Sequence, residues 1–259
     1  PEEYYNNNII ETSFRVEADK INPVLDVVFD GVHIMDGDIV SPSPLITISI
    51  KDENKFLFKN NTDGMEVFLK RPGRDEFEKI ELSSNPDIIS AGQVGGKINQ
   101  YVIQYNPKNL PDGIYTLRVQ GTDASGNKSG TEHYEIRFEV INKSTITHFY
   151  PYPNPFSTST RFVFTLTGSE IPEDLKIQIM TVSGKVVREI TKSELGPIRI
   201  GNNKTDFAWD GTDEFGDRLA NGVYLYRVII KNKGENFSHR DSSGDRAFKK
   251  EFGKLYILR

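Results

Sequence analysis

Four histidines and several closely spaced aspartates are the residues of this sequence that could carry chemistry. The histidines are His33, His133, His148 and His239. None of them lies in an HExxH pattern or beside a recognisable nucleophile motif, and no GxSxG, Walker or dinucleotide-binding pattern occurs. The absence of cysteine also removes thiolate nucleophiles, thiolate metal ligands and disulfides. The sequence therefore predicts no catalytic residue, no enzyme activity and no organic cofactor in this chain.

Carboxylates in glycine-rich turns are the remaining candidates for metal binding. Asp210, Asp213 and Asp217 share one such loop, and calcium prefers oxygen ligands. Their spacing is not that of an EF-hand, so we predict at most a weak structural calcium site there, with turn capping as the alternative. A second acidic group is expected to serve turn capping and solvation, and its members are Asp36, Asp38, Asp52 and Glu53.

The pattern of apolar residues indicates the elements that must position these side chains. Apolar and polar residues alternate with a period of two in short runs, such as residues 45–50 and 101–105. Each run is bounded by Gly, Pro, Asn or Asp, and helical periodicity is nearly absent. The sequence therefore predicts an all-β protein built as two tandem immunoglobulin-like β-sandwich domains.

Composition agrees with a globular protein and limits its partners. Of 259 residues, 36% are hydrophobic and 27% are charged, which is ordinary for a folded protein. The net charge of −5 offers no basic field for nucleic acid or anionic lipid. Apolar runs such as residues 223–230 are far shorter than the ~20 residues that span a bilayer. We expect neither nucleic-acid binding nor a membrane-spanning segment.

Punctuation by turn residues divides the chain into three parts. Residues 1–21 are predicted to be a tail or the end of an upstream domain, residues 22–142 a first sandwich and residues 143–259 a second. Three prolines between residues 151 and 155 predict a stiff junction between the sandwiches. In the second sandwich, strands are expected near residues 161–166, 176–181, 185–190, 205–210, 222–230 and 254–258. A surface loop is expected at 231–250.

A weak internal repeat links the two halves. Residues 111–119 (PDGIYTLRV) match residues 220–228 (ANGVYLYRV). In immunoglobulin-like sandwiches, a tyrosine near the start of a late strand closes a corner through its hydroxyl group. The repeat therefore predicts such corners at Tyr115 and Tyr224.

Four segments of the second half resemble the type A sorting domains of the Bacteroidetes type IX secretion system. They are YPNPF at residues 152–156, VSGKVV at 182–187, NGVYLYRV at 221–228 and KLYIL at 254–258. Residues 209–217 (WDGTDEFGD) resemble a turn of hook-capping, immunoglobulin-like relatives, which shorter sorting domains often lack. The first half is similar to bacterial immunoglobulin-like domains. The resemblance leaves open whether the domain is cleaved or retained at the surface.

The resemblance implies a function in protein transport. It implies that the chain is a non-catalytic C-terminal region that targets or docks a larger exported protein, with the first sandwich as a spacer. The implied partners are outer-membrane type IX translocon or shuttle proteins and an upstream passenger domain of the same chain. One parent protein that the resemblance implies is a gingipain-like cysteine peptidase or a type IX sortase-type protein. The implied location is the cell surface, the outer membrane or the extracellular space.

The resemblance also implies which residues a partner recognises, partly by backbone pairing at an exposed edge of the last strand. These residues are Pro153, Asn154, Pro155, Phe156, Gly184, Gly222, Val223, Tyr224, Lys254, Leu255, Tyr256, Ile257, Leu258 and Arg259. Most are also expected to be core or turn residues whichever function is right.

A carbohydrate-binding or adhesive module is the main alternative. Such modules use sandwiches in which exposed aromatic rings stack on sugars. The candidates are Tyr4, Tyr5, Tyr101 and Tyr105, and strand alternation places the last two on one face.

Overall fold

A computed structural model of the chain describes residues 11–13, 15, 17–92, 98–232, 235–236, 238–239 and 252–259. The first hydrophobic core lies between two sheets with strand orders β1-β3-β7-β6 and β2-β9-β8-β4-β5. Their strands are β1 (Val24–Phe29), β2 (Asp38–Val40), β3 (Ile46–Asp52), β4 (Glu66–Lys70), β5 (Phe77–Lys79), β6 (Ile88–Gly92), β7 (Asn99–Tyr105), β8 (Gly113–Gln120) and β9 (Tyr134–Val140). All pairs are antiparallel except β2 with β9.

The second core lies between two further sheets, with orders β14-β11-β10-β17 and β13-β12-β15-β16, and β18 also pairs with β15. Their strands are β10 (Thr145–Tyr152), β11 (Arg161–Leu166), β12 (Asp174–Thr181), β13 (Val186–Ile190), β14 (Gly201–Lys204), β15 (Gly222–Asn232), β16 (Glu235–Asn236), β17 (Ser238–His239) and β18 (Gly253–Ile257). The short helix α1 (Lys192–Leu195) follows β13. No helix of the described residues has the length and apolar composition needed to cross a bilayer.

Alternating burial along the strands builds both cores. In β3, Ile46, Ile48 and Ile50 are buried while their neighbours face outward. In β12, Ile177 and Ile179 are fully buried on the same principle. The predicted all-β, immunoglobulin-like fold class is confirmed. Whether the stretches 22–142 and 143–259 fold independently stays a prediction.

Both predicted tyrosine corners are present. The Tyr115 hydroxyl donates to the Pro111 carbonyl oxygen at 2.9 Å, and the Tyr224 hydroxyl donates to the Ala220 carbonyl oxygen at 2.9 Å. Each tyrosine lies two residues after a glycine with positive φ, 140° and 151° respectively. The weak sequence repeat therefore reflects the same local structure in both sandwiches.

Two expectations for the second half need correction. Residues 205–210 form no continuous strand, although Trp209 pairs with Thr160 in an isolated antiparallel bridge. The Thr205 amide donates to the Phe162 carbonyl, but the Thr205 hydroxyl accepts from the Phe162 amide and donates to the Phe207 carbonyl, so that the ladder does not continue. The strand of this region that pairs with β11 is β14, which ends at Lys204. The expected loop at 231–250 begins with the end of β15 and contains β16 and β17, and its other residues lie outside the described part.

The proline-rich segment is not the junction between the sandwiches. Strand β9 ends at Val140 and β10 already begins at Thr145, with Pro151 inside it and paired with Phe162. The sandwiches also touch through β2 and β14, where the Asn202 side-chain amide donates to Asp38 at 2.8 Å. Residues 152–156 therefore belong to the second sandwich, and their role has to be sought there.

Candidate functional site

The C-terminal strand β18 is an integral part of the second sandwich. It runs antiparallel to the start of β15, with Val223 opposite Tyr256 and Leu225 opposite Lys254. Its inward side chains, Leu255 and Ile257, are fully buried in the second core. The strand therefore stabilises the sandwich as well as offering a surface.

The outer edge of β18 is already occupied. The Asn154 side chain accepts from the Tyr256 amide at 2.9 Å and donates to the Lys254 carbonyl at 2.9 Å. The Phe156 amide then donates to the Tyr256 carbonyl, and the Phe156 carbonyl accepts from the Leu258 amide. The open edge expected for partner pairing is thus absent, because the YPNPF segment satisfies the outward backbone groups of the last strand.

The same segment is anchored in the core. Phe156 is 3% exposed and its ring centroid lies 5.6 Å from that of Trp209. Pro153 and Pro155 on either side of Asn154 are exposed, and their peptide bonds to the preceding residues are cis. The entry motif therefore acts as a clip, with Phe156 in the core and Asn154 on the strand edge.

Arg259 closes the end of β18 over the glycine-rich turn. Its guanidinium donates to the carbonyls of Leu219 and Gly211, and its backbone amide donates to the Asn221 side chain at 3.0 Å. The Asn221 side-chain amide returns a bond to the Arg259 carbonyl. The last strand and the 209–221 segment are consequently tied together.

The opposite edge of the same sheet, β13, is also covered. Gly184, with φ of 89°, lies in the hairpin turn that joins β12 to β13. The Glu214 amide donates to the Val187 carbonyl at 3.1 Å, and the Glu214 carboxylate accepts from the Glu189 amide. Glu214 also pairs with Arg188 at 2.9 Å. Glu214, in the turn at residues 209–217, thus covers the edge of β13, as Asn154 covers the edge of β18.

The outward face of this sheet brings three of the four resembling segments together. Val223 lies opposite Tyr256, and Leu225 lies between Lys254 and Met180, which is itself opposite Val186. We name as the outer strip the half-buried or exposed members of this face: Val186, Val223, Leu225, Lys254, Tyr256 and Leu258. It is largely apolar, with one lysine.

The remaining predicted site residues are structural. Tyr224 is 8% exposed and closes its corner, while Gly222 supplies the positive φ before it. Gly253, just before the predicted segment, matters for a reason that the sequence did not reveal. A β-carbon there would lie 2.0 Å from the Tyr226 ring, so that only glycine lets β18 approach β15.

Asp210 and Asp213 cap the turn that carries them. Asp210 accepts from the Thr212 amide and hydroxyl, and the Thr212 hydroxyl is the main cause that lowers the pKa of Asp210. Asp213 accepts from the amides of Phe215 and Asp217. Among the described residues, the structure does not bring these three aspartates together as a ligand group, and calcium there stays a prediction.

The second acidic group separates into unrelated parts. Asp36 pairs with Arg137, and Asp38 accepts from the amide of Met35. Asp52 and Glu53 instead lie beside Asp19, which was assigned to a tail. Burial, followed by the neighbouring Glu53 carboxylate and the charges of Asp123 and Asp19, raises the pKa of Asp52 to about 6.

The aromatic candidates for sugar stacking lie in the core where they are described. Tyr101 and Tyr105 are each 3% exposed, so neither ring can stack on a sugar. Tyr4 and Tyr5 lie outside the described residues. Among the described residues, the most exposed aromatic rings are those of Phe56 and Phe215, on opposite halves of the chain and in separate turns.

Comparison with known proteins gives similarity at the level of fold. No family model matches the sequence, and no curated protein matches it. The crystal structure of dimeric latent PorU from Porphyromonas gingivalis is 19% identical with a TM-score of 0.35, over 93% of this chain and 21% of that chain. The FN1–FN3 domains of chicken CNTN1 are 14% identical with a TM-score of 0.30, over 95% and 71%.

A third similar structure is SGBP-B from the Bacteroides ovatus mixed-linkage glucan utilization locus, in complex with a mixed-linkage heptasaccharide. It is 17% identical with a TM-score of 0.30, over 85% of this chain and 43% of that chain. The chain thus spans about a fifth of the PorU chain and less than half of the SGBP-B chain. At these identities the likeness extends to the β-sandwich fold and not to function.

Proposed function

We propose that this chain is a non-catalytic region that targets or docks a larger exported protein to the type IX secretion machinery at the outer membrane. In this proposal the second sandwich is the sorting domain and the first is a spacer. The supporting observation is that the four segments that resemble a sorting domain, far apart in sequence, are neighbours in the folded second sandwich. YPNPF clips β18, β18 pairs with β15, and β15 pairs with the strand that leads into the hairpin.

Recognition on this surface proceeds through a face and not through an open edge. The outer edges of β18 and β13 are covered, by Asn154 and by Glu214 respectively, and covered edges do not template a new strand. The outer strip has no such cover over Val223 and Leu258, which are 40% and 57% exposed. Exposed apolar groups beside a lysine suit a partner with an apolar, acidic surface.

The buried motif residues serve the same function indirectly. Phe156, Leu255 and Ile257 hold the last strand in register, so that Val223, Tyr256 and Leu258 project from one face. A truncated β18 would lose the core contacts and the outer strip together. Deletion of the C-terminal strand therefore cannot separate folding from recognition, whereas surface substitutions can.

The direct test is delivery of a reporter. A reporter protein with an inner-membrane export signal is fused ahead of residues 1–259 and expressed in a type IX-competent bacterium and in a translocon-deficient strain. The proposal predicts surface or extracellular reporter only in the competent strain. Periplasmic retention in both strains, with the fusion folded and intact, would refute it. A second fusion carrying only residues 143–259 tests whether the first sandwich is dispensable for delivery, as a spacer should be.

A further inference from the structure

Three acidic side chains converge at one end of the first sandwich. Asp19 precedes β1, Asp52 ends β3 and Glu53 follows it. One carboxylate oxygen from each lies within 4.8 Å of the others. No ion pair with lysine, arginine or histidine is formed by any of the three within the described part of the chain. Among the residues that the structure describes, no cation pairs with them to balance their mutual repulsion.

The Asp52 carboxylate gives independent evidence that a cation binds here. Asp52 is 8% exposed, and its Oδ2 atom accepts from the Asn99 side-chain amide at 3.1 Å. Its Oδ1 atom is buried and has no hydrogen-bond donor. A buried carboxylate oxygen without a partner is unfavourable, and the neighbours of this carboxylate are the acidic groups of Asp19 and Glu53. A cation among them would satisfy that oxygen.

The surrounding polar groups hold the carboxylates in place. The Asp19 carboxylate accepts from the Asn54 side chain at 3.0 Å and from the Ser125 hydroxyl at 3.2 Å. Asn99 donates not only to Asp52 but also to the carbonyls of Asn54 and Leu57, which orders the loop after β3. Such outer contacts orient ligands before an ion binds.

We propose that Asp19, Asp52 and Glu53 bind one calcium ion. The ligand set consists of oxygen only, which favours calcium or magnesium over zinc and copper. Three carboxylate oxygens within 4.8 Å of one another can share one ion, and calcium accepts such a set in flexible geometry, whereas magnesium demands a near-ideal octahedron. Carbonyls or water complete the coordination.

Calcium at this position fastens the segment that precedes β1 to the first sandwich. Asp52 and Glu53 belong to β3 and the loop after it, whereas Asp19 lies before β1. Asp19 already contacts the turn after β8 through Ser125 and Asn127. The ion would lock this contact and stiffen the connection to whatever precedes the sandwich. The effect is separate from sorting, which involves the other sandwich.

The test uses the full chain, stripped with a chelator and titrated with calcium chloride. Calorimetry is expected to give one saturable site, in the range of about 10⁻⁴–10⁻³ M typical of extracellular modules. At about a hundred times the dissociation constant, the melting temperature should rise by roughly 5–10 °C. Magnesium chloride at the same concentration should give a smaller rise.

Variants separate this site from the turn of the second sandwich. Asp52→Asn should abolish the calcium-dependent rise while melting no lower than the parent in chelator, because one of three crowded charges is removed. Because Glu53 is exposed, Glu53→Gln should change folding little, and it should weaken calcium binding at least tenfold. Asp213→Asn is the matched control and should keep the full response. No saturable binding, unchanged binding in Glu53→Gln, or a response lost in Asp213→Asn would each overturn the proposal.

Discussion

The same turn occurs once in each sandwich. Residues 121–129 read GTDASGNKS and residues 211–219 read GTDEFGDRL. In the first, the Asp123 amide donates to the Asn127 carbonyl at 3.0 Å and the Asn127 amide donates to the Asp123 carboxylate at 2.8 Å. In the second, Asp213 and Asp217 form the same two bonds at 2.9 and 3.0 Å.

Their surroundings are opposite. The first turn lies against acidic groups, with Asp123 only 4% exposed and Asn127 bonded to the backbone of Asp19. The second turn projects into solvent, with Phe215 91% exposed, and uses Glu214 to cover β13. Local sequence thus determines the turn, while its place in the fold decides whether it serves a cation site or a strand edge.

The largest contrast is expected between a glycine that contacts the first turn, Gly64, and the glycine that begins the second turn, Gly211. Gly64 has φ of 70°, and a β-carbon there would lie 2.0 Å from the Thr122 hydroxyl oxygen. Gly64→Ala should therefore destabilise the chain by about 3 kcal/mol. A β-carbon at Gly211 would meet the movable end of Arg259 at 2.6 Å, with Ile257 and Phe156 no closer than 3.2 Å, so Gly211→Ala should lose about 1–2 kcal/mol. Urea unfolding measures both, and equal losses would contradict the contrast.

The capping aspartates should differ next. Asp123→Ala removes a buried acceptor from both the Asn127 amide and its side chain, and should lower stability by about 2 kcal/mol. Asp213→Ala removes an exposed cap and should lose about 1 kcal/mol. Thermal melts in chelator test the pair. A larger loss at Asp213 would show that burial does not set the difference.

Glu214 tests the edge-covering role that the first turn lacks. The equivalent position of the first turn is Ala124, so Glu214→Ala makes the two turns alike. We expect the free energy of unfolding to fall by about 1 kcal/mol. Hydrogen exchange should become faster at the Glu189 amide, which donates a hydrogen bond to the Glu214 carboxylate. The exposed Glu132→Ala serves as the control. Unchanged exchange at Glu189 would mean that the edge is protected by something else.

The smallest difference is expected where the turns are alike. Gly126 and Gly216 have φ of 90° and 87°, and a β-carbon at either would meet open space. Alanine at each position should therefore lose about 1 kcal/mol through backbone strain alone. A gap between the two that exceeds the error of the unfolding measurement would show that the turns are not equivalent.

Sequence patterns predicted what depends on neighbouring residues. The all-β class follows from alternation, strand β11 was predicted with its observed ends, and the corners at Tyr115 and Tyr224 follow from a short repeat. The missing strand at 205–210 shows the limit, because the Thr205 side chain competes with the ladder only once Phe162 is beside it.

Features that join distant segments could not be predicted in this way. Asn154 meets β18 across about a hundred residues, so the covered edge is invisible in either segment alone. The sequence predicts a tail for the segment that holds Asp19 because that segment starts with polar residues, although Ser125 and Asn54 bind Asp19. The recurrence of GTDxxG in both halves was the available signal that Asp123 deserved comparison with Asp213.

The central claim, recognition through the outer strip, is tested most directly by delivery of the reporter fusion with paired surface variants. Val223→Lys combined with Leu258→Lys alters the strip at two exposed positions, and Ile171→Lys alters an exposed apolar residue elsewhere in the same sandwich. Melting temperatures should stay close to that of the parent in both. The account predicts at least tenfold less surface reporter for the strip variant and parental delivery for Ile171→Lys. Parental delivery by the folded strip variant would contradict it.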